Sequence, residues 1–160
     1  VQQKGTSRNA IELSTVEKLN FGKITSTEAE ALIGKPDQIV DLKREFSGQQ
    51  AWIYVEGEKT RRLERLGLLI DAKTNIVLSA TWSPREDELL HQKSAALSHF
   101  GESGFNGKEV GWIANHHYSD DAVYTHKKKG IALYVNGMGQ TVQSISFGQA
   151  DHRGLAQGQK

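Results

Sequence analysis

The feature that most constrains the fold of this chain is a repeat within it. Residues 66–82 read LGLLIDAKTNIVLSATW, and residues 131–147 read IALYVNGMGQTVQSISF. The two segments are equally long and align without a gap at an offset of 65 (131 − 66). Each is an alternating apolar run, a turn segment and a second alternating run, which predicts a β-hairpin. A chain that repeats its hairpin is expected to repeat the unit around it.

A helix is predicted before the hairpin in both copies. In the first copy, residues 25–28 (TSTE) have the capping-box pattern, and Gly34 and Pro36 end the helix. In the second copy, Ser83 and Pro84 predict a helix that begins at residue 84 and ends at Gly101. Further strands are predicted near residues 39–46 and 112–118.

These patterns predict an α+β fold. It is a tandem repeat of one or more helices followed by a three- or four-stranded antiparallel sheet, with the helices packed on one sheet face. The first repeat is expected to span residues 11–83 and the second residues 84–147. Residues 1–10 and 148–160 are polar or rich in Gly and Gln, which predicts flexible tails.

Composition excludes several classes of protein. Lys+Arg is 20 and Asp+Glu is 19, so the net charge of +1 argues against a nucleic-acid binder and gives no general attraction to anionic membranes. The chain has no Cys, which rules out disulfides, thiolate metal sites and cysteine nucleophiles. No apolar run approaches the roughly 18 residues of a transmembrane segment. Because Val1 is not an initiator Met, the sequence is expected to be either a processed or a trimmed product, and removal of a targeting segment is one of these alternatives.

Residues 21–37 read FGKITSTEAEALIGKPD and resemble the signature of the SmpA/OmlA family of small outer-membrane lipoproteins. The matching positions, with one residue more than usual between the first two, are Gly22, Thr25, Leu32, Ile33, Gly34 and Pro36. Trp52 and Tyr54 fit the aromatic strand that follows in the family. The doubled unit is also similar to the β-lactamase inhibitor protein, although that family carries disulfides and this chain has no Cys.

The resemblance implies a layer of helices on an antiparallel sheet and an extracytoplasmic binding role. It implies a periplasmic or outer-membrane-associated location, and neither a substrate nor a cofactor. The family's lipid-attachment Cys is absent, so an anchor would require residues outside this sequence.

The alternation within the hairpins divides the predicted sheet into two faces. The more apolar series, residues 66, 68 and 70 with 131, 133 and 135, is expected to face the helices. The other face is predicted to bind a protein partner, because aromatic side chains bury a large area with few rotatable bonds. Its candidate residues are Leu69, Tyr134, Ser79, Thr81, Ser144 and Ser146. The alternative is an ordinary solvated sheet face. Trp52, Tyr54 and Tyr124 are expected in the core.

Basic clusters occur at equivalent positions of two hairpins. Arg61 and Arg62 with Arg65 stand in one, and Lys127 and Lys128 with Lys129 stand in the other. They are candidates for a positive rim that attracts an acidic partner. The alternative is that they keep the hairpin tips soluble and the edges unpaired.

The most enzyme-like cluster is residues 116–121 (HHYSDD). His116 and His117 are adjacent, so on a strand they point to opposite faces and do not chelate one metal together. We therefore predict no catalytic residue, no metal and no cofactor. Three functions stay open: a non-catalytic envelope or periplasmic protein-binding module, a secreted or periplasmic enzyme inhibitor that inserts the loop at residues 56–65, and a small hydrolase or metal-binding protein using His116 or His117.

Overall fold

The computed structural model describes residues 11–57, 62–109, 122–136 and 140–148. The chain divides into two units, Val1–Leu78 and Ser79–Lys160. Each unit contains helices and antiparallel strands, which confirms the predicted α+β class. The predicted N-terminal tail, and the predicted C-terminal tail after Gly148, lie outside the described residues.

The first unit begins with two short helices, α1 (Leu13–Glu17) and α2 (Ser26–Ile33). The predicted capping box is confirmed at the start of α2. The Glu28 amide donates to Thr25 Oγ1 at 3.1 Å, and the Thr25 amide donates to Glu28 Oε1 at 2.9 Å. Gly34 ends the helix as predicted, with φ at 103°, a left-handed conformation that glycine adopts without steric cost.

Four strands follow in the first unit: β1 (Gln38–Asp41), β2 (Gln49–Glu56), β3 (Leu63–Asp71) and the first three residues of β4 (Ile76–Trp82). They are neighbours in the order β1-β2-β3-β4. The strand expected over residues 39–46 is shorter, because a 3-10 turn at Arg44–Phe46 ends it.

The turn between β3 and β4 is formed with the help of Asp71 and Asn75. Asp71 Oδ1 accepts the Lys73 amide at 2.9 Å, and Asn75 takes a φ of 60°. An Asx turn and a left-handed residue reverse the chain over four residues. The first hairpin is therefore formed as predicted.

Arg65 is the main departure in the first unit. It was expected with Arg61 and Arg62 in a solvated loop, but β3 already includes it, and its exposure is 0%. The register shifts so that Tyr54 pairs with Leu66 and Val55 pairs with Glu64. Arg65 is the extra residue of this bulge, and its side chain turns inward.

The second unit contains the last four residues of β4, a helix α3 (Lys93–Phe100) and strands β5 (Asn106–Glu109), β6 (Ala122–His126), β7 (Ile131–Asn136) and β8 (Thr141–Phe147). Two 3-10 turns, Leu89–His91 and Glu102–Gly104, flank α3. The strands are antiparallel neighbours in the order β4-β8-β7-β6-β5. The second hairpin, β7 with β8, is confirmed, and the strand expected over residues 112–118 lies outside the described residues.

The start of the second helix was predicted wrongly. Instead of beginning at Pro84, α3 begins at Lys93, and its N-cap Gln92 makes no side-chain capping bond. The physical reason is a local turn in which the Arg85 amide donates to Glu88 Oε1 at 2.7 Å. The Glu88 amide donates to the Arg85 carbonyl at 3.0 Å, a bond over three residues that closes a single turn and is not continued by the four-residue spacing of an α-helix. The end of α3 at Gly101, with φ at 101°, is as predicted.

The core of each unit lies between its helices and one face of its strands. In the first unit, the buried Tyr54 donates its hydroxyl to the Gly34 carbonyl, at the end of α2, at 2.8 Å. In the second unit, the rings of Phe100 on α3 and Phe147 on β8 meet edge to face, with centroids 6.0 Å apart. The apolar series predicted to face the helices is buried in both units. Within the described residues, no helix has the length and apolar character to span a membrane.

Candidate functional site

The face of the second unit's strands opposite its helix carries most of the predicted binding residues. Tyr134 on β7 pairs with Ser144 on β8, and Thr81 on β4 pairs with Ser146 on β8. Because side chains alternate along a strand, these positions share the face opposite Leu133 and Phe147. We call this surface, defined by Ser79, Thr81, Tyr134, Ser144 and Ser146, the hydroxyl face.

Hydrogen bonds link the side chains of the hydroxyl face. Thr81 Oγ1 and Ser146 Oγ lie 3.3 Å apart, and Ser146 is also hydrogen-bonded to the Tyr134 phenol. Burial raises the pKa of Tyr134, and the bond with Ser146 lowers it by a smaller amount. Tyr134 is therefore a neutral phenol at physiological pH, with both donor and acceptor capacity.

Accessibility differs among these residues. Thr81 is exposed, Tyr134, Ser144 and Ser79 are half-buried, and Ser146 is only 5% exposed. Ser146 lies on a central strand between Thr81 and Ala132, so it offers little surface of its own. Its hydroxyl group instead orients the hydroxyl groups of Thr81 and Tyr134, to which it is hydrogen-bonded.

Leu69 belongs to the first unit and lies on a different kind of surface. It pairs with Ala51 on β2, which pairs with Val40 on β1, and all three side chains are half-buried. They form an apolar row on the face opposite Tyr54 and Leu68.

The basic candidates occupy hairpin turns. Arg62 is exposed at the start of β3, and Arg61 lies outside the described residues. Lys127 and Lys128 are exposed in the turn after β6. Their neighbour Lys129 has another role, because its Nζ donates to the Phe100 carbonyl at 2.7 Å and fastens the turn to the end of α3.

The inhibitor and enzyme hypotheses depend on segments outside the described residues. His116 and His117 lie there, and within the described residues no group of three or more His, Asp or Glu side chains could hold a metal ion. The loop expected over residues 56–65 is shorter, because β2 runs to Glu56 and β3 begins at Leu63.

Sequence reasoning missed a cleft on the helix side of the second unit. It has a volume of about 770 Å³ and lies where the start of α3 meets β6 and β8. Tyr124, expected in the core like Trp52 and Tyr54, is instead half-buried and lines this cleft. Lys93 Nζ stands 4.6 Å from the centroid of its ring. No periodic pattern could reveal the cleft, because its residues come from four separate segments.

Comparison with family models finds no match, and no curated protein matches the chain either. Among solved structures, one similar chain is a cysteine-rich secretory protein from Staphylococcus aureus subsp. aureus Mu50. The sequence identity is 13% and the TM-score is 0.43. The match covers 82% of this chain and 44% of the staphylococcal chain, so this chain spans less than half of that protein's length.

Proposed function

We propose that this chain is a non-catalytic protein-binding module of the bacterial envelope or periplasm, built from two SmpA/OmlA-like repeats. The family signature at residues 21–37 supports the repeat, because its capping box and its glycine exit perform the roles that the motif implies. The equal lengths of the two hairpin segments support a duplication. The location follows from the resemblance.

The hydroxyl face is the observation that carries the binding function. It presents Thr81, Ser144 and Tyr134 on three adjacent strands, with Ser146 bonded to two of these side chains. Side chains that are already oriented lose less conformational entropy when a partner binds. A tyrosine adds a large apolar ring and a polar tip at the cost of two rotatable bonds.

The polarity of the hydroxyl face indicates the kind of contact it makes. Hydroxyl groups both donate and accept, so they match the mixed polar groups of a protein surface. Interfaces are typically rich in tyrosine at their centre and polar at the rim. The exposed Lys127 and Lys128 supply positive charge in the same unit, which favours a partner with an acidic rim.

A capture experiment tests this function. The intact protein and its Tyr134→Ala variant are used as bait for envelope extract, and captured proteins are identified by mass spectrometry. Tyr124→Ala is the matched control, because Tyr124 pairs with Leu133 and therefore lies on the opposite face of the same strands.

The proposal requires one protein to be captured by the wild type and by Tyr124→Ala, and to be lost with Tyr134→Ala. Circular dichroism spectra of all three must agree. Equal capture by all three proteins would refute the hydroxyl face as the binding site. Binding by the purified partner should weaken further in the Lys127→Ala, Lys128→Ala double variant and at high salt, if the acidic rim is correct.

A further inference from the structure

The cleft of the second unit is separate from the hydroxyl face. Its side chains come from the segment before α3, from the first turns of α3, from the 3-10 turn after it, and from β6 and the start of β8. Tyr124 lines it from the helix side of the strands, whereas Tyr134 belongs to the other side. A cleft of about 770 Å³ is within the usual size range of small-ligand sites, roughly 300–1,000 Å³.

The charges that line the cleft nearly cancel. Glu86 and Glu102 contribute two carboxylates and Lys93 one ammonium group. A site for a phosphate or another polyanion needs an excess of cations, and a site for a polycation needs several carboxylates without a lysine. The lining therefore favours neither a polyanion nor a polycation.

The hydrogen-bonding groups of the cleft are equally mixed. The carboxylates of Glu86 and Glu102 only accept, the Lys93 ammonium only donates, and Gln140 does both. A ligand that satisfies such a set must carry many groups that both donate and accept, which is the property of hydroxyl groups. The two most apolar contributors are Tyr124 and Leu97, and Leu97 is only 8% exposed.

One wall of the cleft is held in place before any ligand binds. Lys93 Nζ lies 4.6 Å from the Tyr124 ring centroid and donates to Gln140 Oε1 at 3.3 Å. The Lys93 amide donates to the Gln140 carbonyl at 3.1 Å, so backbone and side chain bind the same residue. This bridge holds the Lys93 ammonium over the face of the Tyr124 ring, with the Gln140 amide beside it.

We propose that the cleft binds a neutral oligosaccharide. The sugar's hydroxyl groups donate to Glu86 and Glu102 and accept from Lys93, and the apolar C–H surface of a pyranose ring contacts the part of the Tyr124 ring that the Lys93 ammonium does not cover. The inference is independent of the proposed protein-binding function, because the two sites use opposite faces of the strands.

The test is a titration of the isotope-labelled intact protein followed by two-dimensional amide NMR. Three neutral trisaccharides serve as probes: maltotriose, cellotriose and triacetylchitotriose. We expect at least one to shift the amides of Lys93, Glu102 and Tyr124, with a Kd on the order of 1 mM. Tyr124→Ala should weaken this binding at least about tenfold, whereas Tyr134→Ala should leave it unchanged.

Two further variants keep the test decisive if Tyr124→Ala does not fold. Glu102→Ala removes an exposed carboxylate and should weaken binding, and Tyr124→Phe keeps the ring and should retain it. The proposal is overturned if none of the three trisaccharides shifts the cleft amides. It is also overturned if the shifts persist in both Tyr124→Ala and Glu102→Ala, or if a peptide mixture shifts the cleft amides while the sugars do not.

Discussion

Arg65 shows how one inward-turned side chain organises the start of the chain. Its Nε donates to the Ile11 carbonyl at 3.1 Å and lies 3.4 Å from Glu56 Oε1. Glu56 Oε2 in turn accepts the Ile11 amide at 2.7 Å. The arginine and the glutamate therefore hold both backbone groups of Ile11 against the end of β2.

Replacement of Arg65 by Ala should destabilise the protein strongly. The change leaves Glu56, which is largely buried, without its cation, and leaves the Ile11 carbonyl without this donor. Breaking a buried ion pair from one side typically costs on the order of 3 kcal/mol. Urea unfolding measures the free energy, and the exposed Arg62→Ala is the control, with an expected change below about 0.5 kcal/mol. A similarly small change in unfolding free energy for both variants would contradict the proposed role of Arg65 in holding Ile11 and Glu56.

Tyr54 and Tyr124 make a second test at this scale. Tyr54→Phe removes a buried hydroxyl that donates to the Gly34 carbonyl, so it should cost about 1 kcal/mol of unfolding free energy. Tyr124→Phe removes a hydroxyl from a ring that is only half-buried, so it should change the unfolding free energy far less. Thermal or urea unfolding compares the two variants. Equal losses of unfolding free energy would show that the hydrogen bond from Tyr54 to Gly34 does not stabilise the fold.

At the scale of elements, the capping box of α2 is the clearest case of a local sequence that determines a local structure. Thr25→Ala removes the acceptor of the Glu28 amide, which should destabilise the protein by about 1 kcal/mol. Thr27→Ala is the matched control, because Thr27 lies two residues later, in the first turn of α2, and is exposed. The prediction fails if the two variants unfold at the same urea concentration.

The same box predicts a pH dependence. The bonds that Glu28 accepts from the Thr25 amide and hydroxyl hold the pKa of its carboxyl below the ordinary value of 4.5. A folded pKa below the unfolded one gives stability that is complete above 4.5 and is lost as the pH falls through the folded pKa. The stability difference between wild type and Glu28→Gln should therefore shrink on acidification below 4.5. Urea midpoints at a series of pH values measure it, and a constant difference would contradict the assignment.

Elements with a strong local signal were predictable, and elements set by long-range contacts were not. The box at Thr25, the exits at Gly34 and Gly101 and both hairpins depend on residues close in sequence. The start of α3 was misplaced because Ser83 and Pro84 fit a helix start, while the Glu88 side chain stabilises a competing turn. The burial of Arg65 depends on Ile11, 54 residues away, which no local pattern contains.

The candidate sites divide in the same way. Alternation along the strands is sufficient to place Tyr134 and Ser144 on one face of their hairpin. The pairing of Thr81 with Ser146 joins strands far apart in the sequence, so alternation alone could not predict it. The cleft is different, because it joins Glu86, Lys93, Tyr124 and Gln140 through tertiary packing. Tyr124 was expected in the core with Tyr54, but it lines the cleft, whereas the Tyr54 hydroxyl donates to the Gly34 carbonyl at the end of α2.

At the scale of the whole molecule, strand β4 belongs to both units. The Val77 amide donates to the Ile24 carbonyl at 2.8 Å in the first unit, and residues 80–82 pair with β8 in the second. A strand held at both ends is expected to open as one piece. Native-state hydrogen exchange should give Val77 and the β4 amides of the second unit the same free energy of opening. Clearly different values would show that the units open separately.

The position of β4 also limits how the protein can be dissected or recombined. A cut between Leu78 and Ser79 would divide strand β4 between the two fragments. Each fragment would then expose a sheet edge with unpaired backbone groups, which promotes aggregation and strand exchange. A cut in the exposed turn at residues 72–75 would leave the strand whole. Gene fusions, circular permutants and split-protein sensors based on this fold should therefore use that turn as their junction.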